Sequence, residues 1–144
     1  MGSEKSDDER DHADLQNMNL EQLTTFRITQ AKTNTIRVLE EPQLPQGKSV
    51  SLLVTSGPLK GNHFNIQKPQ VLIGRRGGDI EVSESNISRN HCVIQVHGLS
   101  ALLVDLDSIN GTFVNEEKIA SCELGHMSEF RIGKTTVMLV FNPK

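Results

Sequence analysis

The chain has 144 residues, a formal net charge of −3 and two cysteines. This length allows one domain with its own core and a tail, and excludes two domains of ordinary size. The weakly negative charge excludes the broad basic field that attracts nucleic acid or anionic membranes, and no apolar run is long enough to span a bilayer. Cys92 and Cys122 lie far apart in sequence without partners at metal-ligand spacing, so we predict reduced thiols, no metal, no cofactor and a cytoplasmic location.

Residues 1–47 are predicted to form a flexible, threonine-rich regulatory tail and linker. Residues 1–19 are polar and mostly acidic, which is typical of disorder. Residues 20–40 hold more apolar side chains and are predicted to be conditionally ordered, since β-branched threonines weaken a short helical pattern. Two prolines and a glycine mark residues 40–47 as a linker. The threonines of the segment, all candidate phosphorylation sites, are Thr24, Thr25, Thr29, Thr33 and Thr35.

Residues 48–144 are predicted to form the globular domain. Short β-branched runs alternate with turn residues here, and helical periodicity is nearly absent. The pattern predicts an all-β, two-sheet antiparallel sandwich of short strands. The runs cover residues 50–55, 63–66, 71–74, 80–82, 92–97, 101–106, 112–114, 130–132 and 136–141.

Three loop motifs stand between these runs: Gly74-Arg75, Ser88-Arg89-Asn90-His91 and Asn110-Gly111-Thr112. Each is common by itself; Asn-Gly, for example, is above all a hairpin signal. Their order and spacing, together with the runs at 104–115 and 130–133, resemble the forkhead-associated (FHA) domain family over residues 50–141. The resemblance implies a SMAD/FHA-like sandwich of about ten to eleven short strands that binds phosphothreonine through loops at one end.

A phosphothreonine carries nearly two negative charges and strong acceptor oxygens, so its site needs cationic and hydroxyl donors in a small volume. By resemblance, Arg75 and Ser88 contact the phosphate, Arg89 is a further contact, and Asn110 hydrogen-bonds the main chain of the ligand. Asn86 is a candidate for selecting the third residue after the phosphothreonine. Ile109 stands just before the Asn-Gly pair, where many members have a serine or threonine that helps to hold the phosphothreonine, so one donor is missing.

Three residues are predicted to support the site rather than to bind ligand. Gly74 permits a close approach of the chain, Gly111 accepts a left-handed turn, and His91 ties its loop by hydrogen bonds, as the resemblance implies. A Ser-His-Asp triad of Ser88, His91 and Asp105 is disfavoured, because no nucleophile elbow or oxyanion hole accompanies it. We therefore predict a binding module and not an enzyme.

A second departure from the family lies at Met127-Ser128, where members usually have Gly-Asp, and we expect this turn to affect stability more than ligand choice. The glycine-rich residues 76–81 lack the lysine and following helix of a P-loop and are predicted to be a turn.

The predicted function is phosphothreonine-dependent protein binding in signalling downstream of a Ser/Thr kinase. The ligand is either a partner protein or the chain's own tail, in which Thr25, Thr33 and Thr35 are each followed three residues later by an apolar residue. Two alternatives stay open: a sensory fragment of a larger signalling enzyme, such as a nucleotide cyclase, and a scaffold that does not depend on phosphorylation. The sequence does not identify the kinase, the partner, the threonine or the oligomeric state.

Overall fold

The computed structural model describes residues 41–144. The predictions made for residues 1–40, including the five threonines, lie outside the described residues. Residues 41–144 form eleven strands, which confirms the prediction of an all-β sandwich of about ten to eleven strands. They are β1 (Lys48–Ser56), β2 (His63–Ile66), β3 (Gln70–Gly74), β4 (Ile80–Glu81), β5 (Cys92–His97), β6 (Ser100–Asp105), β7 (Thr112–Val114), β8 (Glu117–Lys118), β9 (Ser121–Leu124), β10 (Glu129–Ile132) and β11 (Thr135–Pro143).

The strands form two sheets, as the sequence predicted. The six-stranded sheet has the order β2-β1-β11-β10-β7-β8, and the five-stranded sheet has the order β4-β3-β5-β6-β9. The strands pair in antiparallel fashion except for β3 and β4. These two run parallel because the 75–79 loop carries the chain back beside Ile73 before β4 begins. The first strand starts at Lys48; the division of the whole chain into tail and domain at this residue stays a prediction.

The core lies between the two sheets and is formed by every second residue of the strands, whose side chains point inward. In β1, Val50, Leu52 and Val54 point inward and are buried, and Leu139 and Val137 of the neighbouring strand β11 lie beside Leu52 and Val54 on the same inner face. Alternation of this kind buries one side of each strand while the other side remains available for polar contacts or for another partner. Burial raises the pKa of the Cys92 thiol, and both cysteines are free.

The sequence patterns missed the two short strands β8 and β9. Strands β7 and β8 are joined by a two-residue turn in which Asn115 and Glu116 have φ of 52° and 67°. Positive φ at both central positions is the geometry that suits a right-twisted hairpin, and it is usually filled by Asn-Gly. Glutamate at the second position hides this signal, and the charged residues of β8 have no apolar alternation.

Residues 41–144 contain no helix of the length and hydropathy needed to cross a membrane. Within the same residues there is no group of three side chains suited to hold a metal ion.

Met127 is held in the left-handed region, with φ of 70°, and its side chain is exposed. A side chain with a Cβ is strained there, whereas glycine is not. We expect Met127→Gly to raise the free energy of unfolding by about 1 kcal/mol in chemical denaturation. The matched control is Met127→Ala, which keeps the Cβ and should give no such gain. Equal stabilisation by both variants would show that the exposed thioether, and not the backbone, is the unfavourable feature.

Candidate functional site

The three loops that carry the predicted site residues meet at one end of the five-stranded sheet. β3 ends there at Gly74, β5 begins at Cys92, and β6 ends at Asp105, because Ile73 and Asp105 both pair with Cys92. The loop after β3, the loop before β5 and the loop after β6 therefore leave the sheet side by side. Rigid strands thus position the loops, an arrangement typical of binding sites.

Ser88 joins all three loops. Its carbonyl accepts a hydrogen bond from the Arg75 N–H at 3.0 Å, and its Oγ accepts one from the Ile109 N–H at 2.9 Å. A hydroxyl that accepts in this way still has its own hydrogen to donate. The side chain is largely buried but lies beside exposed residues, so the hydroxyl is fixed in position with a donor for an anion.

Gly74 permits the closest backbone approach in the site. A Cβ built on this residue would lie 1.8 Å from the carbonyl oxygen of Arg89. The His91 N–H also donates to the Ile73 carbonyl at 2.9 Å, which holds the loop against the end of β3. The geometry therefore explains why glycine stands before Arg75, as the sequence predicted.

Arg75 and Arg89 are exposed at this end of the sandwich. The Nη1 of Arg75 donates to the Ile87 carbonyl at 3.2 Å, which sets the side chain against the 82–91 loop. A guanidinium has five N–H donors in a rigid fork, so one bond to the protein leaves capacity for a phosphate. The backbone of Arg89 is fixed at Gly74, while its side chain points outward.

Asn110 and Asn86 link two of the loops. The Asn110 Nδ2 donates to the Asn86 carbonyl at 2.9 Å, and the Asn86 Nδ2 approaches Glu84 Oε1 at 3.4 Å. The Asn110 amide keeps a second N–H and an oxygen with which it can bind a peptide main chain. Next to it, Ile109 is 85% exposed, so its side chain adds an apolar rim instead of a donor.

His91 is a structural residue in this site. It is completely buried, its Nδ1 accepts from the Ser88 N–H at 3.1 Å, and its Nε2 lies 3.0 Å from the Gly111 carbonyl. An Nδ1 that accepts is unprotonated, so Nε2 carries the hydrogen and donates it to Gly111. Burial lowers the pKa of His91 below its usual value of 6.5, although the bond to Gly111 and the charge of Asp105 oppose this shift.

The bonds of His91 argue against a catalytic triad. The histidine contacts the backbone of Ser88 and not its hydroxyl. The Asp105 carboxylate accepts instead from the Thr112 hydroxyl at 2.7 Å and from the Ser108 N–H at 3.2 Å. Neither contact of a Ser-His-Asp relay is present among these three residues, as the sequence predicted, so their bonds fix the loops and do not activate a nucleophile.

Sequence reasoning missed two carboxylates that organise the site. Asp105 anchors the 106–111 loop through Ser108, whose Oγ also accepts from the Gly111 N–H at 3.0 Å. Gly111 has φ of 92°, the left-handed conformation predicted for it. The spacing Asp-x-x-Ser before Asn-Gly is a turn signal that would have indicated this network.

The second carboxylate, Glu84, connects the 82–91 loop to the six-stranded sheet. Its two oxygens accept from the Lys134 N–H at 2.7 Å and from the Thr135 hydroxyl at 2.6 Å. These partners are about fifty residues further along the chain, so no local pattern indicates the contact. It holds the loop to the hairpin between β10 and β11.

The fold and the site define an all-β binding module whose loops present two exposed arginines, a fixed hydroxyl and an amide at one end. The FHA domain family model matches residues 71–133. The chain belongs to the FHA domain family, which confirms the resemblance.

Two relatives support this assignment. The glycogen accumulation regulator GarA from Mycolicibacterium smegmatis is 34% identical over 102 residues, covering 70% of this chain and 64% of the relative. An oxoglutarate dehydrogenase inhibitor from Corynebacterium jeikeium is 32% identical over 102 residues, covering 70% of each chain. This chain thus spans slightly less than two thirds of the length of GarA.

A solved structure gives the same fold. It comes from a structural and functional analysis of phosphothreonine-dependent FHA domain interactions, and it aligns with a TM-score of 0.59 at 28% identity. The alignment covers 67% of this chain and 99% of the other.

The lowered pKa of His91 predicts a pH dependence of stability. The folded protein favours the neutral ring, so the unfolded chain binds a proton more readily between the lowered pKa and 6.5. The contribution is fully present above about pH 6.5 and is lost as the pH falls toward the lowered pKa. We expect the free energy of unfolding of the wild type, relative to that of His91→Gln, to decline between about pH 7.5 and pH 5.5.

An NMR titration of the His91 ring tests the same shift without a variant, and its midpoint should lie below 6.5. A midpoint at or above that value, or a stability difference that does not change with pH, would contradict the assignment of a buried neutral ring.

Proposed function

We propose that this FHA domain binds phosphothreonine in a protein ligand and acts as a regulator downstream of a Ser/Thr kinase, without catalysing a reaction itself. The observation that carries the proposal is the junction at Ser88, which places a donor hydroxyl and the exposed Arg75 on neighbouring loops. Cationic and hydroxyl donors that are fixed close together match the two negative charges and the several acceptor oxygens of a phosphate. They match a ligand group with a single charge less well.

The roles of the individual residues are part of the proposal. Arg75, Ser88 and Arg89 would bind the phosphate oxygens, and Asn110 would bind the main chain of the ligand. The exposed Ile109 would contact the ligand through its apolar side chain, and Asn86, which is tied to Asn110, would face the residues after the phosphothreonine. His91, Gly74 and Gly111 hold this geometry and need no contact with the ligand.

The relatives support a regulatory role carried out by binding. One is described as a regulator of glycogen accumulation and the other as an inhibitor of oxoglutarate dehydrogenase, and the solved FHA structure concerns phosphothreonine-dependent interactions. A target enzyme in the cytoplasm is consistent with these descriptions. A sensory fragment of a larger enzyme is the alternative, and the complete gene sequence distinguishes the two.

Calorimetric titration with phosphorylated and unphosphorylated threonine peptides tests the phosphate dependence. Arg75→Ala and Ser88→Ala should each weaken binding of the phosphopeptide by about tenfold or more, because a hydrogen bond to a charged group contributes about 1.5–3 kcal/mol. The matched control is Arg76→Ala, which removes the same charge from the adjacent exposed residue and should change affinity by much less. Equal affinity for both peptide forms would refute the proposal and favour a scaffold that ignores phosphorylation.

We propose further that the chain's own tail is a ligand of the pocket after phosphorylation at one of its threonines. The linker is bound to the domain through Gln43, whose N–H donates to the Val96 carbonyl at 2.7 Å. Thr35 and Thr24 precede Glu41 by six and seventeen residues, so an extended chain reaches from about 20 Å to about 55 Å. A tether of this length raises the local concentration of the ligand into the mM range.

Phosphorylation of the full-length chain should therefore lower its apparent affinity for an added phosphopeptide by roughly tenfold or more, since the tail competes from within the molecule. Calorimetry before and after kinase treatment measures this change, and replacement of each threonine by alanine identifies the residue responsible. Sedimentation should give the mass of a monomer. A phosphorylated chain that binds the peptide as before, or that forms dimers, would contradict intramolecular binding.

A further inference from the structure

The outer face of the five-stranded sheet carries a continuous apolar patch. Alternate residues of β3, β5 and β6 belong to the core, so the residues between them point to the opposite side of the sheet. The register places these outward residues next to one another, because Leu72 pairs with Val93 and Val93 pairs with Val104. We call this the outer patch; its members are Leu72, Val93, Leu102 and Val104.

The outer patch is buried, although it lies outside the sandwich. Val93, Leu102 and Val104 have 0–1% of their surface exposed, and Leu72 has 7%. A sheet face in contact with solvent does not bury side chains to this degree. The six-stranded sheet provides the comparison, because its outward residues Leu53, Met138 and Val140 are only half-buried.

The polar neighbours of the outer patch show the same burial. Gln95 and His97 point outward from β5 and are buried. The Gln95 Nε2 donates to Gln70 Oε1 at 2.7 Å, and the His97 Nε2 lies 3.2 Å from Gln95 Oε1. Buried polar side chains are expected to pair in this way, so these bonds also fit a covered surface.

The strands of residues 41–144 do not supply the cover. All eleven belong to the two sheets, and the five-stranded sheet uses its inner face to pack on the six-stranded one. Within this part of the chain, the outer patch therefore has no strand lying over it.

The linker meets the five-stranded sheet beside the end of β5. Gln43 forms a parallel bridge with His97, so the described residues Glu41 and Pro42 lie on the side of Gln43 that faces the start of β5. Pro69, whose carbonyl accepts from the Val96 N–H at 2.7 Å, already occupies the next place beside β5. A segment that runs back along β5 has no room in the plane of the sheet beyond this point, and the core fills the inner side. The outer side is the side on which such a segment fits.

The composition of the tail identifies the segment that fits. Residues 1–19 are mostly acidic, whereas residues 20–40 include the apolar side chains of Leu20, Leu23, Phe26, Ile28, Ile36 and Val38. Strand β5 is six residues long, about 20 Å, which an extended chain crosses with a similar number of residues. Residues 20–40 are thus long enough and apolar enough to cover the outer patch.

We propose that the outer patch is a docking site for residues 20–40 of the same chain, and that docking does not require phosphorylation. The patch lies between Gln43, at one end of β5, and the Ser88 junction, at the other. A docked segment would hold its threonines close to the binding loops before a kinase acts. This consequence rests on the proposed binding of phosphothreonine, whereas the docking itself does not.

Paramagnetic labelling of the unphosphorylated full-length chain tests the docking. A nitroxide is attached at Gln30→Cys in a Cys122→Ser background, where the remaining Cys92 is completely buried. We expect strong broadening of the methyl signals of Val93, Leu102 and Val104, and little broadening of Leu53 and Val140 on the opposite face. Leu23→Ser with Phe26→Ser should abolish the selective broadening, because both changes remove apolar contacts without altering the domain.

Three outcomes would overturn the proposal. Equal broadening on both faces would show that the tail does not dock, and selective broadening that survives the two serine substitutions would show that these residues do not carry the contact. Broadening seen only when labelled and isotope-enriched chains are mixed would assign the patch to a second copy of the protein. Arg75→Ala should leave the broadening unchanged, so failure of phosphothreonine binding and failure of docking are distinguished.

Discussion

The hydrogen bonds of Ser88 are the constraint on which the binding end of this domain depends. One residue receives the Arg75 N–H on its carbonyl, receives the Ile109 N–H on its hydroxyl, and donates its own N–H to His91. Each of the three loops is therefore fixed relative to the other two through a single point. The close approach at Gly74 is the steric condition for this arrangement, because a side chain there would collide with the carbonyl of Arg89.

A site fixed in this way explains how a weakly acidic protein can present a pocket for an anion. The net charge of −3 sets only the distant field, which salt screens within about 8 Å at physiological ionic strength. Close to the loops, the positions of a few donors decide the interaction. Two nearby carboxylates are held by protein donors: Asp105 accepts from the Thr112 hydroxyl, and Glu84 accepts from the Lys134 N–H and the Thr135 hydroxyl of the hairpin between β10 and β11.

The sequence was most informative where local chemistry determines structure. Alternating β-branched runs predicted the sandwich, and the glycines at 74 and 111 predicted a close approach and a left-handed turn, which the structure places as expected. The patterns failed where a contact is distant in sequence or a residue is atypical of its position. Glu84 binds partners on another hairpin, and Glu116 occupies a turn position in which glycine is usual. The ligand-binding roles predicted by the sequence stay predictions, because each is a contact with a bound phosphopeptide; they concern Arg75, Ser88, Arg89 and Asn110.

The two outer faces of the sandwich differ in how far their side chains are buried and in whether they need a cover. A half-buried face with mixed side chains, such as that of the six-stranded sheet, needs no partner. A contiguous patch of four apolar side chains is unfavourable in water, and it persists in a monomeric domain only where something covers it. The short linker makes the chain's own tail the nearest cover, since Gln43 is already bound beside β5. In the arrangement we propose, the loops bind the phosphorylated threonine of this segment through charge, and the apolar face holds the segment through burial along the strand that leads to those loops.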